Sequence, residues 1–195
     1  MENNSGYELL IMMSRAELGG QLYDIIRSLK LPEYVVRNPV TKSYRVVEKT
    51  YPALVAMYWP DGRPCVPVEL YLLDRSLSLT LRKTDGGSLK VCAANLSHLV
   101  RFCWRVEKQL WDLSTDDFHA FAEELREEID TNSPSQKRRN GTTVRKVLDS
   151  VIAFLEWLQT ELITGRPIVG VRGENPKIVL VRRKGKLIYP FRPPI

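Results

Sequence analysis

The feature that most restricts the fold is an amphipathic pattern that runs through residues 142–163. Apolar side chains recur there every three or four positions, which places them on one face of an α-helix. These side chains are Val144, Val147, Leu148, Val151, Ile152, Leu155, Leu158 and Leu162. The pattern predicts a long helix with one apolar face, the side that such helices turn toward a core.

Three more helices are expected before this one, over residues 68–81, 88–107 and 114–129. A Lys-Thr-Asp-Gly-Gly run ends the first pattern, because adjacent glycines and turn-forming residues interrupt helices. Ser114 and Asp117 have the three-residue spacing of an N-terminal helix cap. The central part of the chain is therefore predicted to be a bundle of four helices.

The flanking parts of the chain have mixed or β patterns. In the first third we expect a helix over about residues 15–30 and strands over 34–37, 44–48 and 53–59. The strand regions are rich in β-branched and aromatic residues and are bounded by turn-forming residues. Beyond the fourth helix the apolar period becomes two, which indicates strands, with a hairpin at residues 183–186.

These patterns predict an α+β fold that is mainly helical. We expect a small α/β N-terminal subdomain at residues 1–65 and a helical domain at residues 66–164. A basic linker with a β-hairpin follows at residues 165–195. A chain of 195 residues has room for this arrangement as one generous domain or two small ones.

The cysteines and histidines give no pattern for metal binding. The three cysteines, Cys65, Cys92 and Cys103, are odd in number, and no two of them have Cys-x-x-Cys spacing. His98 and His119 are far from each other in the sequence. Structural zinc needs four ligands in closely spaced pairs, and a disulfide framework needs an even set. We therefore predict buried cysteines, no metal and no cofactor.

Nor does the sequence contain a membrane or secretion signal. No apolar run approaches the ~20 residues that cross a bilayer. The longest early run, residues 9–13, is bracketed by Glu8 and Arg15 and has no cleavage site after it. We expect a soluble, cytoplasmic protein with no membrane partner and no small-molecule substrate.

Positive charge is concentrated in two parts of the chain. Residues 166–195 contain eight basic residues and one acidic residue, so this segment carries +7, and because the net charge is +6 the remainder carries −1. A second basic stretch spans residues 137–146. Segregated basic segments are typical of proteins with a polyanionic partner, most often nucleic acid.

The predicted DNA-binding residues come from three segments: the start of the second helix, the loop and first turns of the fourth helix, and the C-terminal hairpin. Helix N-termini offer backbone N–H groups to phosphate, and lysine and arginine add Coulomb attraction. The residues are Arg82, Lys83, Ser88, Lys90, Lys137, Arg138, Arg139, Thr142, Thr143, Arg145, Lys146, Arg182, Arg183, Lys184 and Lys186. We expect the two helix starts to converge on one duplex and hold its backbone.

Three short motifs carry a resemblance to a known family. They are Leu-Val-Arg-Phe-Cys-Trp at residues 99–104, Leu-Ser-Thr-Asp-Asp-Phe at 113–118 and Phe-Leu-Glu-Trp-Leu at 154–158. In this order they resemble the core-binding domain of the tyrosine recombinase (phage integrase) family, over about residues 51–162. Two departures are the absence of a tyrosine in the second helix and a longer insertion at residues 105–110.

The resemblance implies a SAM-like helical bundle that grips duplex DNA during integration or recombination, with other recombinase protomers as further partners. The family's catalytic domain, with its arginines, lysine, histidine-type residues and tyrosine nucleophile, has no counterpart here. The chain is expected to be the DNA-binding fragment of a longer recombinase and to have no catalytic residues of its own.

One formal match to catalytic spacing is His98-Leu-Val-Arg101. It lies inside a predicted bundle helix, and Tyr189 is in a strand-like stretch far from it. We expect a surface histidine, a solvent- or phosphate-facing arginine and a half-buried tyrosine. The alternative function is a non-catalytic helical interaction module or regulator that uses its basic hairpin to bind an acidic partner.

Overall fold

The computed structural model describes residues 20–37, 44–78, 87–127, 141–162 and 165–190, and every structural statement concerns this part of the chain. The helices are α1 (Val66–Ser78), α2 (Gly87–Arg105), α3 (Thr115–Glu127) and α4 (Gly141–Glu161). The strands are β1 (Tyr23–Arg37), β2 (Tyr44–Met57), β3 (Val169–Gly170), β4 (Ile178–Val179), β5 (Val181–Arg183) and β6 (Lys186–Ile188). The fold is α+β.

The four predicted helices are confirmed within the described residues. Each begins and ends within a few residues of the bounds expected from apolar spacing and capping. The α3 N-terminus has the expected reciprocal cap: the Asp117 carboxylate accepts hydrogen bonds from the Ser114 N–H (2.8 Å) and hydroxyl (2.6 Å), and Ser114 Oγ accepts from the Asp117 N–H. Lys108 Nζ, 2.6 Å from the same carboxylate, completes the cap.

The predicted helix over residues 15–30 is wrong for the described residues, which form β1 from Tyr23 onward. β1 pairs antiparallel with β2, with Ile25 opposite Val55 and Ile26 opposite Leu54. β-Branched residues pack well across strands, and this long-range pairing overrides a helical spacing of leucine and isoleucine that is only local. Consequently the described residues 20–65 contain a long hairpin where an α/β subdomain was expected.

The separate short strands predicted for the first third are also corrected. Residues 34–37 are the end of β1, and residues 44–48 and 53–57 belong to the continuous strand β2. The predicted Asn38-Pro39 turn lies outside the described residues. Near the C-terminus, β3 and β4 pair in parallel, and the predicted hairpin is confirmed as the antiparallel pair β5–β6.

One hydrophobic core extends through the described chain. It joins the base of the β1–β2 hairpin (Tyr23, Val55 and Met57) to the four helices and to Ile168, Leu180 and Leu187 of the C-terminal segment. The three cysteines are free and buried in this core, as predicted. Each of the three predicted segments therefore contributes described residues to this core. No helix in the described residues is long and apolar enough to cross a membrane.

Two polar side chains fix the C-terminal segment to the helices. Gln159 Oε1, on the last turn of α4, accepts hydrogen bonds from the Ile168 and Val169 N–H groups, each at 2.9 Å. Lys177 Nζ donates to the Trp111 carbonyl at 2.7 Å. Because these contacts satisfy backbone groups, they hold the segment in a defined position against the bundle.

The cap at Asp117 predicts a pH-dependent contribution to stability. Burial pushes the pKa of this carboxyl up, but hydrogen bonds from Lys108 and Ser114 outweigh that effect and hold the pKa below its ordinary value. A lowered folded-state pKa stabilises the protein above the unfolded-state pKa, and this contribution is lost as pH falls through the folded value. We expect Asp117→Asn to cost about 1 kcal/mol at neutral pH.

Urea unfolding at neutral pH and near pH 3 checks this prediction. The wild type should lose more stability on acidification than Asp117→Asn, since the variant has no carboxylate to protonate there. Asp116→Asn is the control, because Asp116 is exposed on the same helical turn. Equal acid sensitivity of wild type and Asp117→Asn contradicts the assignment.

Candidate nucleic-acid interface

The first turns of α4 and the β5–β6 hairpin lie side by side. A groove of about 430 Å³ separates them, with Arg145 and Asp149 of α4 on one side and Lys186 on the other. Ile152 and Leu187, both almost completely buried, lie at its base. Two basic segments that are about forty residues apart in the sequence therefore meet at one surface.

Most of the predicted DNA-binding residues that the structure describes lie on this surface. We call it the α4–hairpin surface, and all of its members are exposed: Thr142, Thr143, Arg145, Lys146, Arg182, Arg183, Lys184 and Lys186. Among them, Arg182 forms an ion pair with Glu174 at 3.1 Å. Arg145, Lys146, Arg183, Lys184 and Lys186 make no ion pair with the other described residues, so their charges are available to a ligand.

The turn of the hairpin is held by its backbone conformation. Lys184 and Gly185 have φ values of 47° and 76°, and a pair of left-handed residues is the geometry of a two-residue type I′ turn. This turn carries Arg182, Arg183 and Lys184 on one side and Lys186 on the other. The hairpin therefore presents four cations within five residues.

Tyr189 anchors the end of the hairpin to α3. Its ring contacts Phe118 (5.7 Å between centroids), and its hydroxyl lies 2.5 Å from His119 Nδ1. Burial raises the pKa of Tyr189, with a contribution from nearby Glu123, which favours the protonated phenol. Tyr189 is buried, more completely than expected, and serves to position the hairpin.

Acidic residues also lie on the positive surface, a feature that was not predicted from the sequence. Asp149 and Glu156 line the groove, and Glu174 pairs with Arg182. Burial raises the pKa of Glu156, and the positive charge of Arg182 opposes that shift. Asp149 and Glu156 follow Arg145 by about one and three helical turns. The helical period alone therefore indicates that these two acids share a face of α4 with Arg145.

The expected convergence of the two helix starts stays a prediction. Asn95 of α2 donates to Ser150 of α4 at 2.9 Å, so the two helices contact each other near their midpoints. Tyr71 of α1 contacts Phe154 of α4, with 5.3 Å between the ring centroids. No residue of α2 is among those that line the groove between α4 and the hairpin.

Ser88 and Lys90 do not line the groove between α4 and the hairpin. Bundle helices bury their apolar faces equally well in either direction, so amphipathic spacing does not predict which helix ends meet. The remaining predicted residues lie outside the described part of the chain: Arg82, Lys83, Lys137, Arg138 and Arg139.

The formal His98–Arg101 pair has a structural use. Arg101 donates to the Gly20 carbonyl at 2.7 Å and to Ser97 Oγ at 3.2 Å, and it thereby ties α2 to the residues that precede β1. Arg101 is not among the residues that line the groove between α4 and the hairpin. Within the described residues, no group of three or more histidine, cysteine or carboxylate side chains is arranged to hold a metal ion.

The type I′ turn predicts a cost for a side chain at residue 185. Open space surrounds the Gly185 Cα, so Gly185→Ala brings no clash, only the strain of a left-handed alanine. We expect a loss of about 1 kcal/mol, measured as a lower urea midpoint. Gly173→Ala, where there is also open space but no left-handed φ, is the matched control. Equal midpoints for the two variants contradict the turn assignment.

Comparison of the chain with models of protein families, with characterised proteins and with solved structures gives no match. A functional assignment therefore rests on the residues and contacts described above, and foremost on the α4–hairpin surface.

Proposed function

We propose that this chain binds duplex DNA through the α4–hairpin surface. The observation that carries the proposal is the meeting of two basic segments across one groove, with five cations that pair with no other described residue. Duplex DNA carries about one negative charge per 1.7 Å of helix axis, so a compact cluster of cations gains from several phosphates at once.

The two sides of the groove contribute different contacts. At the start of α4, the hydroxyls of Thr142 and Thr143 lie beside backbone N–H groups of the first helical turn, and both kinds of group bind phosphate oxygens. Arg145 and Lys146 follow on the next turn and add charge. On the hairpin, arginine offers two parallel N–H donors to one phosphate, whereas lysine acts as a point charge.

This mode of binding is independent of base sequence. Contacts to phosphates fix the position and orientation of a protein on the duplex, and sequence is read separately at the base edges. The proposed surface therefore supplies affinity that falls steeply with salt. Other parts of the protein, or other protomers, would determine which DNA sequence is bound.

The sequence motifs favour a more specific role, as the DNA-gripping fragment of a tyrosine recombinase with a SAM-like core-binding bundle. Phe102, Phe118 and Phe154, the phenylalanines of the three motifs, are all buried in the core. Four helices in the expected order are compatible with such a bundle. In this role the chain has no catalysis of its own and acts with a catalytic domain and further protomers in integration or recombination.

An acidic protein partner is the second candidate. Asp149 and Glu156 beside the groove would repel phosphates, whereas a protein partner with mixed charge could pair with both signs. The basic hairpin would then be the docking element of a non-catalytic interaction module. The two candidates differ in salt dependence, because only DNA binding releases counterions condensed on the phosphates.

The test compares the wild type with a variant in which Arg145, Lys146, Arg183 and Lys186 are replaced by alanine. Affinity for a fluorescent duplex is measured by anisotropy over a series of salt concentrations. The variant should bind more weakly at every concentration, and the slope of log affinity against log salt should flatten by about 0.9 for each phosphate that is no longer neutralised.

Lys90→Ala is the matched control, since Lys90 is an exposed cation on α2 that does not line the groove. It should leave both the affinity and the slope nearly unchanged. Unchanged binding in the fourfold variant contradicts the proposed surface. Absence of duplex binding by the wild type, together with capture of an acidic protein by the hairpin, favours the second candidate.

A further inference from the structure

A second pocket lies away from the α4–hairpin surface, where β2 and α2 end. It has a volume of about 380 Å³ and is lined by Trp59, Arg63, Trp104, Glu107, Lys108 and Gln109. The Trp59 and Trp104 ring centroids are 6.3 Å apart, with an angle of 40° between the ring planes. The rings form two walls that diverge, which leaves a wedge-shaped opening between them.

Both tryptophans keep an unused hydrogen-bond donor. Trp104 is 40% exposed on the last turn of α2, and Trp59 is partly buried against the core. Neither indole N–H has an acceptor among the described residues, whereas the Trp157 indole donates to Asp74 at 3.1 Å. Indole N–H groups usually find a partner when a surface is covered, so the pair suits a ligand that brings acceptors.

Among the charged residues that line the pocket, one carboxylate has no ion pair with the described residues. Arg63 lies 5.9 Å from the Trp104 ring centroid and pairs with Asp61, and Lys108 pairs with Asp117. Glu107 is exposed and forms no ion pair with the rest of the described chain. Its φ of 54° holds it in a left-handed turn directly after α2, beside the tryptophans.

We propose that this pocket binds a short, extended, proline-containing segment of a protein partner, with a basic residue next to the prolines. Proline-rich segments adopt an extended helix whose carbonyl oxygens have no internal partners, and tryptophan-lined grooves recognise them through ring packing and N–H donation. Trp59 and Trp104 supply both kinds of contact, and Glu107 pairs with the basic residue.

The same charges disfavour a nucleic-acid ligand at this pocket. A single strand could stack a base on Trp104, but its phosphates would approach Glu107, and the nearby cations Arg63 and Lys108 are already paired. The volume is at the small end of the range for ligand sites, which suits two or three residues of a peptide and no larger body.

The experiment titrates the protein with the peptide Arg-Pro-Pro-Pro-Pro-Arg and follows tryptophan fluorescence and heat. Saturable binding is expected, and the peptide Glu-Pro-Pro-Pro-Pro-Glu should bind more weakly. Trp104→Ala should weaken binding about tenfold, since it removes an exposed aromatic anchor. Glu107→Gln should remove most of the preference for the arginine peptide.

Val91→Ala and Glu161→Gln are the matched controls, because both residues are exposed and neither lines the pocket. They should bind the peptide as the wild type does. Equal affinity for the two peptides, no saturable binding, or preferential binding of oligothymidylate that is abolished in Trp104→Ala would each overturn the proposal.

The proposal stands apart from DNA binding by the α4–hairpin surface. The variant with alanine at residues 145, 146, 183 and 186 should therefore keep full peptide affinity, and Trp104→Ala should keep full duplex affinity. Loss of peptide binding in the fourfold variant would contradict a separate site.

Discussion

Burial of the apolar face of α4 is the interaction on which the rest of the structure depends. Val144, Val147, Leu148, Val151 and Leu155 are almost completely inaccessible to solvent. Three other parts of the described chain reach this face or its flanks: α1 through its aromatic contact with Phe154, α2 at the middle of the helix, and the C-terminal segment through the hairpin and Gln159. Removal of water from this apolar surface supplies the main driving force for the arrangement.

The polar contacts around α4 decide how its neighbours are held. The Asn95–Ser150 hydrogen bond fixes where α2 crosses, and Gln159 holds the segment that leads to β3. At the other end, Leu187 packs against α4 while the hairpin turn projects beyond it. The basic turn of α4 and the basic hairpin come together because they share this support, although each segment on its own is a solvated stretch of charge.

Surface charge and exposed aromatic rings are separated in this molecule. Within the described residues, cations without an ion pair lie on α4 and on the hairpin, whereas the two tryptophans whose indole N–H groups have no acceptor lie near Glu107, a carboxylate without an ion pair. A polyanion and a basic peptide would therefore select different surfaces, because each ligand is repelled where the other is attracted. The proposed DNA binding and the proposed peptide binding are in this way compatible in one small chain.

The sequence by itself determined the four helices, the capping of α3, the buried cysteines and the C-terminal hairpin, because apolar period, cap spacing and turn residues act over a few positions. It did not determine β1, whose leucines and isoleucines have helical spacing and become a strand only through pairing with β2. Nor did it determine that Asn95 of α2 meets Ser150 of α4, or that Trp59 lies beside Trp104. Those features were decided by tertiary structure, since they depend on which distant faces pack together, and a periodic pattern specifies a face without specifying its neighbour or its direction.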